Sequence, residues 1–267
     1  MEYFNSRYGP WAIIAGASQG IGEQFSRQLA AKGINIIMLA RGLDDLNRVA
    51  SEIRQQYAVE VETHSVDLAS PDLKQKIDAI TAGKELGLLV HNAVYSHIGN
   101  FLDDDLSSKQ LCLDVNCRSP MTFVDTLLRP MVKRKRGGVI LMSSMSGNQG
   151  SAMVAQYAAT KAYNTILAEG LWEEMRHHGV DVIACVAGAT KTPNFNKQTP
   201  SEKAKQAFPM EPAAVVKEAL LSLEKGKGPN QTIGLMNKFV SLLFGRLFSK
   251  KMAVSFISST TRKLYQP

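Results

Sequence analysis

Short apolar runs alternate with helix-patterned stretches from residue 11 to residue 186 of this 267-residue chain. The runs at residues 11–15, 34–40, 59–66, 86–90, 139–142 and 180–186 have the length of strands. They mostly lack the polar alternation of a sheet with one wet face, so both faces should be covered. Between them, helical apolar spacing marks residues 20–31 (Ile21, Phe25, Leu29), 44–57, a stretch from about 71, 107–131 and 154–178. Strands alternating with helices predict right-handed crossover units and a parallel sheet. No internal repeat, low-complexity tract or interdomain linker interrupts the pattern. Residues 1–267 read as a single α/β domain.

Charge and cysteine usage narrow the class. Formal net charge is +7, yet residues 230–267 hold no Asp or Glu and carry Lys238, Arg246, Lys250, Lys251, Arg262 and Lys263. Six of the seven net charges therefore belong to this tail. The body is close to neutral, so it is not expected to bind nucleic acid. Cys112, Cys117 and Cys185 fit neither a disulfide framework nor a zinc spacing, which implies thiols in a reducing compartment and no metal. The N-terminus lacks the basic-then-apolar build of a signal peptide, and no run reaches the ~18 apolar residues of a membrane span. A cytoplasmic protein is the expectation. Lys133-Arg134-Lys135-Arg136 suits a solvated helix C-terminus, and Asp103-Asp104-Asp105 suits a helix entry.

The first chemical signal is Gly16-Ala17-Ser18-Gln19-Gly20-Ile21-Gly22, set between an expected strand and an expected helix. Glycines let the backbone turn tightly and approach a phosphate, and the helix N-terminus adds free N–H groups and a positive dipole end. The spacing is G-x-x-x-G-x-G, and its context favours dinucleotide binding over a plain turn. At the end of the second strand, where NAD proteins usually place a carboxylate, stand Ala40 and Arg41. Arg41 can hold a 2′-phosphate bidentately, which argues for NADP(H). Asp67 either accepts from an adenine amino group or caps the next turn. Asn92 either ties neighbouring strands or lines the cofactor cleft.

The second signal is Ser144 followed by Tyr157 and Lys161. Tyr and Lys four apart share one helix face. A phenol ionises near pH ~10, and a neighbouring ammonium lowers that value, so the pair makes a general acid/base. Ser144 can hydrogen-bond a carbonyl or alcohol, with Ser143 and Ser146 as nearby decoys. No G-x-S-x-G elbow is present, which disfavours a serine hydrolase.

Together these residues resemble the short-chain dehydrogenase/reductase family, from about Tyr8 to Pro193. The resemblance implies a Rossmann-like, doubly wound parallel sheet and a reversible hydride transfer between nicotinamide and a carbonyl or alcohol carbon. It implies that Tyr157 handles the proton on the substrate oxygen, Lys161 lowers the Tyr157 pKa and binds the nicotinamide ribose, and Ser144 orients the carbonyl. It gives Asn116 a water in the proton relay. Leu68, Thr190 and Thr192 join the cofactor contacts, Thr192 through the carboxamide. The family's N-N-A-G becomes His91-Asn92-Ala93-Val94, and its P-G-x-x-x-T becomes Ala187-Gly188-Ala189-Thr190-Lys191-Thr192. Tyr8-Gly9-Pro10-Trp11-Ala12 and Met142-Ser143-Ser144-Met145-Ser146-Gly147 look more like bacterial NADP-dependent hydroxysteroid dehydrogenases of the 7β type. Members commonly form dimers or tetramers through the helix bearing Tyr157, and Gly170, in mid-helix, is compatible with such a contact.

Two segments are left for the substrate. Residues 190–212 read as a loop with one short helix and as a lid. Phe195, Phe208, Met210, Phe239, Leu243 and Phe244 either cover a bulky lipid-like substrate or pack a core or dimer contact. The basic, apolar tail, residues 230–267, has three readings: first a subunit arm, then a flap over the pocket, then an amphipathic helix on anionic membrane. The expected substrate is a hydrophobic ketone or secondary alcohol. The rivals are a lipid carbonyl reductase at a membrane surface and a non-catalytic NADP(H)-binding regulator.

Overall fold

The computed structural model describes residues 2–265, without the side chains of Glu2, Phe244 and Gly245. The apolar runs become strands β1 (Trp11–Ala15), β2 (Asn35–Ala40), β3 (Val61–Ser65), β4 (Leu86–His91), β5 (Gly137–Ser144), β6 (Val180–Ala187) and β7 (Asn230–Thr232). They pair in parallel in the order β3-β2-β1-β4-β5-β6-β7. The order reverses between β1 and β4, and a crevice opens beyond the strand ends at such a point. Register aligns Ala15 with Leu39 and His91, and Ser144 with Ala187. The residues that follow these strands therefore emerge along one edge.

Helices cover both faces: α1 (Glu2–Tyr8), α2 (Gly20–Ala30), α3 (Leu43–Gln56), α4 (Leu73–Thr81), α5 (Leu106–Leu113), α6 (Ser119–Arg134) and α7 (Ala155–Met175). They continue with α8 (Pro193–Gln198), α9 (Ser201–Ala204), α10 (Pro212–Glu224), α11 (Leu235–Leu247) and α12 (Lys250–Tyr265). Strand residues alternate between two cores. Ala12 and Ile14 pack with Phe25, Leu29, Val49 and Val216, whereas Trp11, Ile13 and Ala15 pack with Ile77, Phe123 and Leu127. Each fully buried Leu, Ile or Phe contributes roughly 1.5–3 kcal/mol.

Three features depart from the sequence reading. The N-terminus is a helix, α1, that buries Phe4 and Tyr8. The Tyr8 hydroxyl donates to Asp181 Oδ2 at 2.7 Å, and Arg7 Nε donates to the same oxygen at 2.7 Å. The helix expected over 107–131 is interrupted by a π-turn, Asp114–Arg118, between α5 and α6. The basic run at residues 133–136 is only partly solvated: Arg134 donates to the Leu86 carbonyl at 2.7 Å, and Arg136 pairs with Glu85. Its charges tie the end of α6 to the start of β4. Asp105 caps α5 as expected, accepting from Ser108 N at 2.6 Å.

Candidate active site

The chain leaves β1 and turns into α2 through Gly16. Gly16 has φ +80°, and a Cβ there would lie 2.7 Å from Ala93 Cα. Gly22 is limited by space: its Cβ would lie 1.9 Å from the Gly16 carbonyl oxygen. Turn and helix thus close on each other. Asn92 locks them by donating Nδ2 to the Gly16 carbonyl at 2.8 Å, so it ties β4 to the turn while also lining the cleft. Gln19 gives the first turn of α2 no side-chain cap, which leaves its N–H groups for an anion. Gly16, Ser18, Gln19, Gly20 and Ile21 line a cavity of about 440 Å³. Gly22 stands behind them.

Arg41, Asp67 and Leu68, from the ends of β2 and β3, line the same cavity. Arg41 is exposed, and no ion pair among the described residues engages it. Asp67 Oδ1 accepts from Ala69 N at 3.0 Å, so the turn role foreseen for it is present.

A second cavity of about 330 Å³ holds Ser144, Tyr157 and Lys161. Ile21, Asn92, Val94, Thr192 and Asn194 line both spaces, which are two ends of one cleft. Strand alternation separates Ser144 from Ser143. Ser143 is buried, donating Oγ to the Lys161 carbonyl at 2.7 Å, while Ser144 faces the cleft. Ser146 N donates to Ser144 Oγ at 3.2 Å.

Tyr157 and Lys161 lie one turn apart on α7, with Lys161 Nζ 5.8 Å from the Tyr157 ring centroid. Lys161 is 4% exposed and donates to the Met142 carbonyl at 2.8 Å. Burial pushes its ammonium down from 10.5 to about 8. Burial also pushes the Tyr157 phenol up, opposed by the Ser144 hydroxyl. The lowering of Tyr157 by Lys161 is therefore not seen here, because desolvation acts against charge on both groups. The phenol is protonated at neutral pH.

Asn116 lies in the π-turn, 1% exposed. Its Oδ1 accepts from Tyr95 N at 2.8 Å, and its Nδ2 donates to the Tyr95 carbonyl at 2.8 Å and to Thr160 Oγ1 at 3.0 Å. It latches the loop after β4 to α7. His91, beside Asn92, is a satisfied core residue: its Nε2 meets Ser119 Oγ at 2.9 Å and burial holds it neutral, pushed down to about 3.

The segment after β6 is pinned over the cleft. Thr190 is buried and donates Oγ1 to the Gly188 carbonyl at 3.1 Å. Thr192 caps α8, accepting from Phe195 N at 3.2 Å, and packs on Gly20. The segment holds two short helices, α8 and α9, rather than one. Of the apolar residues foreseen as a cover, Phe195 lines the cleft, while Met210 packs against the core. Phe208 and Phe239 are 81% and 61% exposed, Leu243 does not line the cleft, and Phe244 lies outside the described side chains.

The tail returns to the site. Thr261, Leu264 and Tyr265 of α12 form one wall of the Ser144–Tyr157 cavity. Ser258 Oγ accepts from Ala152 N at 3.0 Å, and Thr261 Oγ1 meets Ser151 Oγ at 2.9 Å, which fastens α12 beside α7. Within one chain, α12 thus takes the position of the second reading of this segment, a flap over the pocket. Sequence reasoning also missed Ser96, in the loop after β4, and Asn194 and Gln198, on α8, which line the same space. Among the described residues, no group of His, Cys, Asp and Glu is placed to hold a metal ion.

Residues 10–203 match the model of the short chain dehydrogenase family. The chain is 34% identical over 212 residues to very-long-chain 3-oxoacyl-CoA reductase of Bos taurus, covering 75% of this chain and 68% of that one. It is 31% identical over 235 residues to 7beta-hydroxysteroid dehydrogenase of Collinsella aerofaciens, covering 87% and 89%. A solved structure described for 7beta-hydroxysteroid dehydrogenase stereoselectivity superposes with a TM-score of 0.89 at 28% identity, over 95% of this chain and 98% of that one.

Proposed function

The chain belongs to the short-chain dehydrogenase family of oxidoreductases, which act on CH–OH groups with a nicotinamide cofactor, and from this we propose that it is an NADP(H)-dependent enzyme for a hydrophobic ketone or secondary alcohol. A hydroxysteroid is the leading substrate class. The observation that carries the reading is one cleft with Arg41 at one end and Ser144, Tyr157 and Lys161 at the other. The residues fit the cofactor. The uncapped first turn of α2 suits a pyrophosphate, and Arg41, with no ion pair to spend it, suits a 2′-phosphate. Asp67 and Leu68 would hold the adenine, and Asn92, Thr190 and Thr192 would hold the nicotinamide end.

When bound, the cofactor supplies or accepts the hydride. In reduction, the protonated Tyr157 phenol gives its proton to the carbonyl oxygen, which the Ser144 hydroxyl orients. In oxidation the phenol must first ionise, and the positive charge of Lys161, one turn along α7, favours that step while the burial of both groups opposes it. The Asn116 Nδ2 is engaged by Tyr95 and Thr160, and its Oδ1 accepts once, from Tyr95 N, so one lone pair of that oxygen is left for the relay water. Residues 190–212 act as the lid and α12 as the specificity wall. The outer face of α7 carries a groove of about 470 Å³ lined by Tyr163, Ile166 and Gly170, and nothing lies within 4 Å of a Cβ built at Gly170. We assign that face to a homodimer contact.

A panel of steroid ketones, bile acids and 3-ketoacyl thioesters, followed at NADPH absorbance, tests the reading. Steroid ketones should turn over, Tyr157→Phe should lose roughly a hundredfold or more in rate while still binding NADPH, and Arg41→Ala should weaken NADPH roughly ten- to hundredfold and NADH far less. Turnover of thioesters alone would move the substrate to the lipid class that the 3-oxoacyl-CoA reductases suggest. NADPH binding with no oxidation across the panel would return the non-catalytic reading.

A further inference from the structure

The helix α11 carries an apolar face that the body of the protein leaves in solvent. Leu235, Phe239 and Leu242 recur at i, i+4 and i+7, one stripe of the helix, and are 84%, 61% and 53% exposed. Met236 and Leu247 flank the stripe, and Met252, in the first turn of α12, is 55% exposed. The opposite side of α11 is already used: Asn237 donates to the Ile233 carbonyl at 2.7 Å, and Ser241 accepts from Asn148 at 3.3 Å. Isolated exposed leucines need no account, but a continuous stripe on one helix does.

The tail's own charge has one sign. Residues 230–267 contain six basic and no acidic side chains. Lys238 is matched by Glu218, whereas Arg246, Lys251, Arg262 and Lys263 are exposed and take part in no ion pair among the described residues. We propose that the outer face of α11, continued by the start of α12, docks the protein on an anionic lipid bilayer. Apolar side chains on one face with cations around them are what an interfacial helix needs. Each cation near an anionic surface strengthens partitioning by about fivefold. A second copy of the chain fits this face less well, because a two-fold contact would set the unpaired cations against their own copies.

The face is coupled to the cleft. Asn148, in the turn just after Ser144, holds both Ser241 of α11 and, through its carbonyl, Lys250 Nζ at 3.2 Å. The inner face of α12 supplies Thr261, Leu264 and Tyr265 to the cavity wall. Docking would thus set the substrate end of the cleft beside the bilayer, where apolar ketones concentrate. The surface does not depend on which ketone is used, and its test reads binding rather than turnover.

The full chain is sedimented with vesicles of phosphatidylcholine alone and of phosphatidylcholine with phosphatidylserine at a ratio of about three to one. The protein should pellet with the anionic vesicles, remain in solution with the neutral ones, and release as salt rises. Phe239→Glu with Leu242→Glu should lower partitioning roughly tenfold or more, and Arg246→Glu with Lys251→Glu should do the same, each with an unchanged circular-dichroism melt. Equal partitioning of wild type and both variants would overturn the proposal, as would no preference for anionic vesicles. Light scattering that shows the Phe239/Leu242 variant dissociating an oligomer would assign the face to a second copy instead.

Discussion

Lys161 shows how burial sets both chemistry and stability at a single residue. Its ammonium titrates at about 8 in the folded protein and at 10.5 when solvated. Below about 8 both states hold the proton, and the folded state carries the cost of a buried charge. Between the two values only the unfolded state holds it, so stability rises with pH across that window. Lys161→Met should therefore unfold at higher urea than the wild type near pH ~7, by up to about 3 kcal/mol less about 1 for the lost hydrogen bond. That advantage should fall away towards pH ~10. Urea titrations at both pH values check it, and a difference that does not change with pH would remove the ammonium as its source. The residue types of this site were legible because Ser144, Tyr157 and Lys161 share a spacing that acid–base chemistry needs. The direction of the Tyr157 shift was not, because desolvation is a property of the whole surround.

At the scale of elements, strand and helix positions followed from apolar periodicity, and most boundaries moved by one or two residues. The π-turn at Asp114–Arg118 escaped because one extra residue in a helix leaves no mark in composition. The short strand β7 escaped because Asn230–Thr232 has no apolar content to betray it; β6 supplies its pairing. The wall formed by α12 was foreseen only as the second reading of the tail, a flap over the pocket, for a related reason. Its buried positions, Ala253 and Ser258, are small, so the helix reads as a surface tail until it is docked. Leu264→Ala should raise KM for a bulky ketone roughly tenfold while leaving NADPH affinity and turnover of a small ketone near wild type. Parallel kinetics on the two ketones measure this, and an equal loss on both would show that α12 acts through stability rather than through the wall.

The whole molecule is closed at one end and open at the other. At the N-terminal edge of the sheet, Tyr8 packs where a Cβ on Gly138 would touch its ring at 3.0 Å, and the Arg7–Asp181 pair holds α1 in place. That leaves the C-terminal edge for ligands, with residues 190–212, α11 and α12 gathered around it. An open groove lies on the outer face of α7, and Ile166, 66% exposed, sits in it. If that face joins two copies, Ile166→Glu should yield monomers without shifting the melt of the isolated fold. Sedimentation velocity at several concentrations checks this, and an unchanged assembly would move the contact elsewhere.

The order of strands and helices, the Gly16–Gly22 turn and the grouping of Ser144, Tyr157 and Lys161 were written in local patterns: apolar period, glycine at forced backbone positions, and one-turn helix spacing. These depend on neighbours within a few residues, and sequence displays such neighbours directly. The packing of α12 into the cavity, the engagement of the Asn116 side chain by Tyr95 and Thr160, the tethering of Arg134 and Arg136, and the depressed Lys161 depended on groups tens to hundreds of residues away. Only closure of the chain brings those groups together, and only then is it settled which charges lose water and which apolar faces remain in it.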